Sequence, residues 1–283
     1  MLWKTSQLSQ AFPFTCSVER LTLHTSFEQP KRLIQDVYKL IAERTTPSKR
    51  VKATIPNTPT SLFLKSSPLE SWKSKARLTL GMQRPLKNGG GYDWPLEELL
   101  NSLYAKKIEA PSAPILGFGY IRHRLGWVEE FFLLTEQLSQ HIDGRNWLTT
   151  EGAEPNDLIS RALSLIVQLH KNNFIHLDPW IANFMLDPNN PDDIRIIDLE
   201  NCFRAQTQYF QETLGIQFGI LYRQEVNNHM TEESFDELVR YVIYSNDIEC
   251  DDRFWQSYLI AKREKISRKS RRKTPIKGII LPG

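Results

Sequence analysis

Two short stretches carry the residues with the clearest chemistry. Phe174-Ile175-His176-Leu177-Asp178-Pro179-Trp180-Ile181-Ala182-Asn183 supplies a His-x-Asp and then an Asn five residues after the Asp. Ile194-Arg195-Ile196-Ile197-Asp198-Leu199-Glu200 supplies a second Asp, fifteen residues past the Asn. Phosphoryl transfer from a nucleotide uses such a set. One carboxylate orients the attacking hydroxyl and can take its proton, while an amide and a second carboxylate hold Mg²⁺ on the phosphates.

The surrounding elements would position these groups. Asn156-Asp157 can cap a helix whose apolar side is Leu158, Ile159, Ala162, Leu163, Ile166 and Leu169. Asn172 and Asn173 suit a left-handed helix stop. Phe184-Met185-Leu186 and Ile194 to Ile197 read as a hairpin, with residues 187–193 as the turn. Helix, loop with acid, strand, turn, strand and second acid is the order of a kinase-like catalytic loop.

A phosphotransfer site also needs a cation on the phosphates. Val51-Lys52-Ala53-Thr54-Ile55 and Ser61-Leu62-Phe63-Leu64-Lys65 read as two strands joined by Pro56-Asn57-Thr58-Pro59-Thr60. Lys65 closes the second strand, where its ammonium would reach phosphate. A helix from Leu96 to Lys107 offers Glu98 to hold that lysine, with Glu97 as the adjacent alternative. Trp127 to Leu138 begins as an apolar strand and ends in a polar linker. If the chain crosses there between two lobes, backbone groups at Glu136 and Leu138 face an adenine edge.

In this order the motifs resemble the protein-kinase-like superfamily, and within it the lipopolysaccharide core kinases, which phosphorylate Kdo or heptose sugars. The resemblance spans about residues 45–205. It rests on Leu62 to Lys65, the basic stretch Trp72 to Arg77, Glu98-x-x-Asn101, Ile108 to Gly119, Phe132 to Glu136, His176-Leu177-Asp178 and Ile197 to Glu200. It implies an α+β, bilobal protein-kinase-like fold with a small mixed β-rich amino lobe and a mostly helical carboxyl lobe. It also implies ATP and Mg²⁺ as cofactors and a saccharide or glycolipid acceptor. Asp178 would be the catalytic carboxylate, Asn183 and Asp198 the Mg²⁺ ligands, and Lys65 the partner of Glu98 and the phosphates. His176 would brace the loop by hydrogen bonding.

Departures from the superfamily pattern narrow the acceptor. Leu177 stands where protein kinases carry the Arg that receives a phosphorylated activation loop. Asp198-Leu199-Glu200 replaces Asp-Phe-Gly, leaving Glu200 either metal-facing or solvated. Residues 201–211 hold no Ala-Pro-Glu and little length for a peptide-docking loop, which favours a sugar or small-molecule hydroxyl. No glycine-rich loop precedes Lys65; Ser48 and Lys49 in the turn at 45–50 are the available substitutes. Lys87 to Tyr92 is glycine-rich but follows Lys65, and reads as the approach to the Glu98 helix. Two rival readings are a kinase-like enzyme for another small molecule or a protein, and a non-catalytic scaffold.

The expected divisions are residues 1–44 as an amino-terminal extension or the first part of the small lobe, 45–135 as the amino lobe, 136–261 as the carboxyl lobe and 262–283 as a basic tail. Within the first, Val18 to His24 alternates like a strand, and Leu33 to Ile41 has helical spacing. Val37 to Ile41 is alternatively the first strand of the small lobe. The net charge of +3 is uneven: residues 262–277 carry nine cations against Glu264, so the remainder is at −5. Such a segment, from Lys262 to Lys277, can attach to an anionic membrane surface or another polyanion, or be a solvated tail. Upstream of it, Phe254, Trp255, Tyr258 and Leu259 are expected to pack on the large lobe. Three dispersed cysteines and the absence of a signal-like start or a long apolar run suit a cytoplasmic protein, peripheral at most at the inner membrane.

Overall fold

Antiparallel pairing organises the amino-terminal half. The computed structural model describes residues 6–28, 31–46, 50–56, 61–81 and 94–280. The chain forms two compact units, Met1–Lys106 with Ala113–Ser139, and Lys107–Ser112 with Gln140–Gly283.

In the first unit, α1 (Ser6–Ala11) precedes a hairpin of β1 (Phe14–Val18) and β2 (Leu21–Thr25). The single strand expected over 18–24 is thus two strands. Glu19, at φ 51°, turns the chain so that Val18 pairs with Leu21. Next come α2 (Lys31–Ala42), β3 (Val51–Ile55), β4 (Leu62–Pro68), α3 (Trp72–Leu80), α4 (Trp94–Lys107), β5 (Ile115–Arg122) and β6 (Val128–Glu136). Residues 37–41 are therefore helical, because Leu33, Ile34, Val37 and Ile41 bury one helical stripe.

The sheet order is β1-β2-β5-β6-β4-β3, and strand alternation splits its side chains between two cores. Phe132 and Leu134 join Leu21, Leu23 and Leu64 against α2. Phe131 and Leu133 join Phe118 and Tyr120 against Leu96, Leu99 and Leu103 of α4. β4 runs three residues past Lys65, since Ser66 and Ser67 continue to pair with Phe132 and Phe131. Lys65 is consequently mid-strand, not terminal, and is held on both sides by neighbouring strands. Part of the expected β3–β4 turn, Asn57 to Thr60, lies outside the described residues, as do Ser48, Lys49 and the stretch Lys87 to Tyr92.

The second unit is mostly helical. Its elements are β7 (Ile142–Asp143), α5 (Gly144–Leu148), α6 (Pro155–Lys171), β8 (Ile175–His176), β9 (Phe184–Asp187), β10 (Asn190–Ile196), β11 (Cys202–Phe203), α7 (Phe210–Arg223), α8 (Glu232–Ser245), α9 (Asp252–Arg263) and α10 (Arg268–Lys277). Glu154, followed by Pro155, occupies the N-cap of α6, so the helix starts before the expected Asn156-Asp157 cap. Asp157 instead sits in the first turn and accepts from Arg161 Nε at 2.9 Å. At the other end Asn173 adopts the left-handed conformation, φ 56°. β10 begins at Asn190 with an irregular register before Ile194, which shortens the expected turn.

Two glycines on α7 set how closely α9 approaches. A Cβ on Gly215 would lie 2.4 Å from Phe254 O, and one on Gly219 would lie 2.5 Å from Tyr258 O. Phe254 and Tyr258 are buried by this contact, whereas Trp255 is half-buried under Arg240 and Leu259 is exposed. Packing thus covers only part of the apolar set expected there.

The basic carboxyl-terminal segment is not a loose tail. Lys262 is buried on α9, 2.8 Å from Glu232 Oε1 and 2.6 Å from Asp236 Oδ1. Ser267 caps α10 by accepting from Ser270 N, and Gly278, at φ 64°, ends it. Among the described residues no helix is long and apolar enough to cross a membrane.

His170, at the end of α6, is buried edge-on to Phe210, with neither ring nitrogen hydrogen-bonded. Burial pushes its pKa down to about 4. Because the unfolded chain holds the proton more tightly, this stabilisation is complete above about pH 6.5 and is lost progressively as pH falls toward 4. Urea melts of wild type and His170→Leu should diverge over that window, the wild type losing more stability. Parallel pH profiles would show that the imidazole plays no part in acid sensitivity.

Candidate active site

The loop that follows α6 is tied down by backbone bonds on both sides. β8 pairs with β11, and Leu177 N donates to Asn201 O at 2.8 Å. Beyond Pro179, which cannot donate, Trp180 N returns to Asp178 O at 2.8 Å. A 3-10 turn over Ile181–Asn183 then leads into β9. Asn183 Nδ2 donates to Asp178 O at 2.9 Å, while Ile197 N donates to Asn183 O at 2.9 Å. The loop is therefore joined to the end of the second strand at Ile197, the residue before Asp198. Asp198 itself is left-handed, at φ 59° and ψ 54°, a conformation that Asp tolerates better than most residues.

His176 connects the same pieces. Asp178 N donates to its Nδ1 at 3.3 Å, and its Nε2 lies 3.3 Å from Ile197 O. A ring nitrogen that accepts from an amide carries no proton, so Nε2 must be the donor to the carbonyl. The imidazole is neutral with both nitrogens occupied. Burial lowers its pKa, opposed by the charges of Asp178 and Asp198. It braces the loop and has no lone pair left for proton transfer.

Sequence reasoning did not find the residues that face Asp178. Arg271 is buried on α10 and donates to Leu177 O at 2.8 Å and to Asp178 Oδ1 at 2.5 Å. Arg268, one turn earlier, lies 3.3 Å from Asp178 Oδ2 and 3.4 Å from Glu200 Oε1. Arg272 Nε donates to Asn201 Oδ1 at 2.8 Å. Glu200 is buried and ion-paired, which corrects the solvated alternative. The detectable signal was helix punctuation, Ser267 to Gly278, with arginines at i, i+3 and i+4 on one face. Counting the charges as one block concealed it.

The first unit holds the remaining candidates. Lys65 Nζ lies 2.9 Å from Glu98 Oε1, and both side chains are about nine-tenths buried. Glu97 beside it is buried too. After β6, Glu136 N donates to Pro114 O and Gln137 N to Ser61 O, each at 2.9 Å. Leu138 N has no backbone partner among the described residues.

The donors in the second unit suit a hard cation. Asn183 spends its amide NH₂ on Asp178 O, which leaves its amide oxygen as a free acceptor type beside a site that also carries Asp198. Amide and carboxylate oxygens are the ligands that Mg²⁺ prefers.

An antiparallel sheet with a lysine–glutamate pair, followed by a helical unit with an Asp–Asn–Asp loop, defines a protein-kinase-like fold. The chain belongs to the lipopolysaccharide kinase (Kdo/WaaP) family, whose model matches residues 97–241, more than half of its length. Among solved structures it is similar to WaaP in complex with acyl carrier protein, at 15% identity and a TM-score of 0.51, over 87% of this chain and 99% of that one. A divergent kinase lacking the glycine-rich loop, which regulates membrane ultrastructure of the Toxoplasma parasitophorous vacuole, aligns at 12% identity and a TM-score of 0.42, over 87% and 90%. Vaccinia related kinase 3 aligns at 11% identity and a TM-score of 0.36, over 97% and 96%. No curated protein matches by sequence.

Removing one member of a buried ion pair strands the other charge, at a cost of about 3–5 kcal/mol. Lys65→Met should therefore lower unfolding free energy by about 3 kcal/mol, and the double variant Lys65→Met/Glu98→Leu should regain much of it. Equal losses in the single and double variants, measured by urea denaturation, would rule out an energetically coupled pair.

Proposed function

We propose that this protein transfers the γ-phosphoryl group of ATP to a hydroxyl of a lipopolysaccharide core sugar. The observation that carries the reading is the bonded connection of Asp178, Asn183 and the Asp198 strand through Asn183 Nδ2, Ile197 N and His176. It supports a reading in which a hydroxyl-orienting carboxylate and two cation ligands act together, because the Asp178–Asn183 loop is bonded to the residue before Asp198. The membership of the chain in a lipopolysaccharide kinase family supports the choice of acceptor.

In this reading Asp178 orients the acceptor hydroxyl and can take its proton as the new O–P bond forms. Asn183 and Asp198 hold Mg²⁺, which when bound neutralises charge on the nucleotide phosphates. Lys65, kept in place by Glu98, supplies a second positive charge to those phosphates. Backbone groups at Glu136 and Leu138 receive the adenine edge, consistent with the unspent Leu138 amide. The acceptor places the reaction at the cytoplasmic side of the inner membrane. Exposed Arg263, Lys265, Lys269 and Lys277 offer anionic lipid a peripheral contact.

Thermal denaturation with ATP, with and without Mg²⁺, tests the nucleotide half. Ligand at a hundredfold excess over its dissociation constant should stabilise the fold by about 2.7 kcal/mol. The Mg²⁺-dependent part should vanish in Asp198→Ala. Asp178→Asn should abolish transfer to core oligosaccharide while retaining the nucleotide shift. No shift at millimolar nucleotide would sink the proposal, and turnover by Asp178→Asn would remove that residue from its role.

A further inference from the structure

The cleft beside Asp178 has a volume of about 420 Å³ and is lined by Asp178, Trp180, Gln224, Glu225, Arg268 and Arg271. Its lining carries two acids and two guanidinium groups, and Glu200 is a third acid within reach of Arg268. Glu225 Oε1 is already held by Arg145 Nε at 3.2 Å. Arg223, next to the lining residue Gln224, is close enough for the Arg271 charge to act on it; burial first, then Arg271, lowers its pKa. The Nε atoms of both Arg223 and Arg271 are buried without a hydrogen-bond partner. Arg223 and Arg271 thus place buried positive charge behind the cleft, and Arg268 is the lining guanidinium exposed enough to meet an anion.

The two lining arginines differ in how firmly they are held. Arg271 has a side chain only 7% exposed and two bonds of 2.8 Å or less, so it is a fixed positioning residue for the loop. Arg268 has a side chain 58% exposed and reaches its two carboxylates at 3.3 and 3.4 Å, near the limit of a hydrogen bond. An exposed pair of that length contributes little, so the guanidinium is free to exchange partners. Its planar fork matches the paired oxygens of a carboxylate or a phosphate ester.

We propose that this cleft selects an acceptor whose reacting hydroxyl lies beside an oxyanion, and that Arg268 moves from Asp178 and Glu200 to bind that oxyanion. The identity of the neighbouring hydroxyl rests on the phosphotransfer reading; the anion site itself requires no turnover.

Titration calorimetry on the full chain without nucleotide, at low ionic strength, tests it with inorganic phosphate, glucuronate and glucose. At least one anion should bind saturably, and glucose should not. Arg268→Gln should weaken that binding tenfold or more, with an unchanged melting temperature because the side chain is largely exposed. Asp178→Asn, which removes the competing carboxylate, should tighten it. Binding of phosphate alone assigns a phosphate ester, of glucuronate alone a carboxylate, and of both the shared oxyanion chemistry. Binding of neither, or binding that Arg268→Gln leaves within twofold, overturns the proposal. Anion binding without ATP-dependent transfer would count against the kinase reading and leave this site standing.

Discussion

The second unit depends on a buried cation that the local sequence of the Asp178 loop does not contain. A carboxylate held in a loop beside other acids needs positive charge near it. Typical kinases place an arginine immediately before that carboxylate, and here the position is Leu177. Arg271 fills the electrostatic gap from a helix 93 residues away in sequence, donating both to the Leu177 carbonyl and to Asp178. Because one guanidinium spans main chain and side chain, it fixes the direction of Asp178 as well as its charge environment. His176 does the complementary work on the other side, joining the Asp178 amide to the Ile197 carbonyl as a neutral ring.

The path that delivers Arg271 can be traced back to small residues. Gly215 and Gly219 let α9 lie against α7 at backbone distance. Lys262 is then enclosed, its ammonium bonded to Glu232 and Asp236 and lying 4.8 Å from the Tyr258 ring centre. With the end of α9 anchored, Ile266 is buried and Ser267 starts α10 at a defined point. At the far end, Gly278 is left-handed, and a Cβ there would meet the Tyr209 ring at 2.5 Å. Larger residues at these glycines would shift α10, and with it the charge on Asp178.

Periodicity made much of this readable in advance. The helix of Leu158 to Leu169, the hairpin of Phe184 to Ile196 and the strands around Lys65 and Phe132 all show apolar spacing strong enough to outweigh local ambiguity. Misreadings fell where a single residue reversed the chain, as at Glu19, or where a strand carried buried serines, as at Ser66 and Ser67. Neither has a strong propensity signal. The Asp178, Asn183 and Asp198 set stood out because its spacing is chemical as well as structural. Arg268 and Arg271 did not, since their meaning comes from long-range packing, and a dense run of cations usually marks a solvated face.

That run explains why loop and helix must order together. α10 has 10 residues, below the length at which isolated helices persist in water. Its like charges at i, i+4, Arg268 with Arg272 and Lys269 with Lys273, oppose helix formation further. What offsets this is tertiary: bonds from Arg271 and Arg272 to Leu177, Asp178 and Asn201, together with buried Ser270, Thr274 and Pro275. The helix is thus stable because the Asp178 loop is formed, and the loop is electrostatically complete because the helix is present. By linkage, a ligand that takes a carboxylate or a guanidinium out of this set acts on both partners at once.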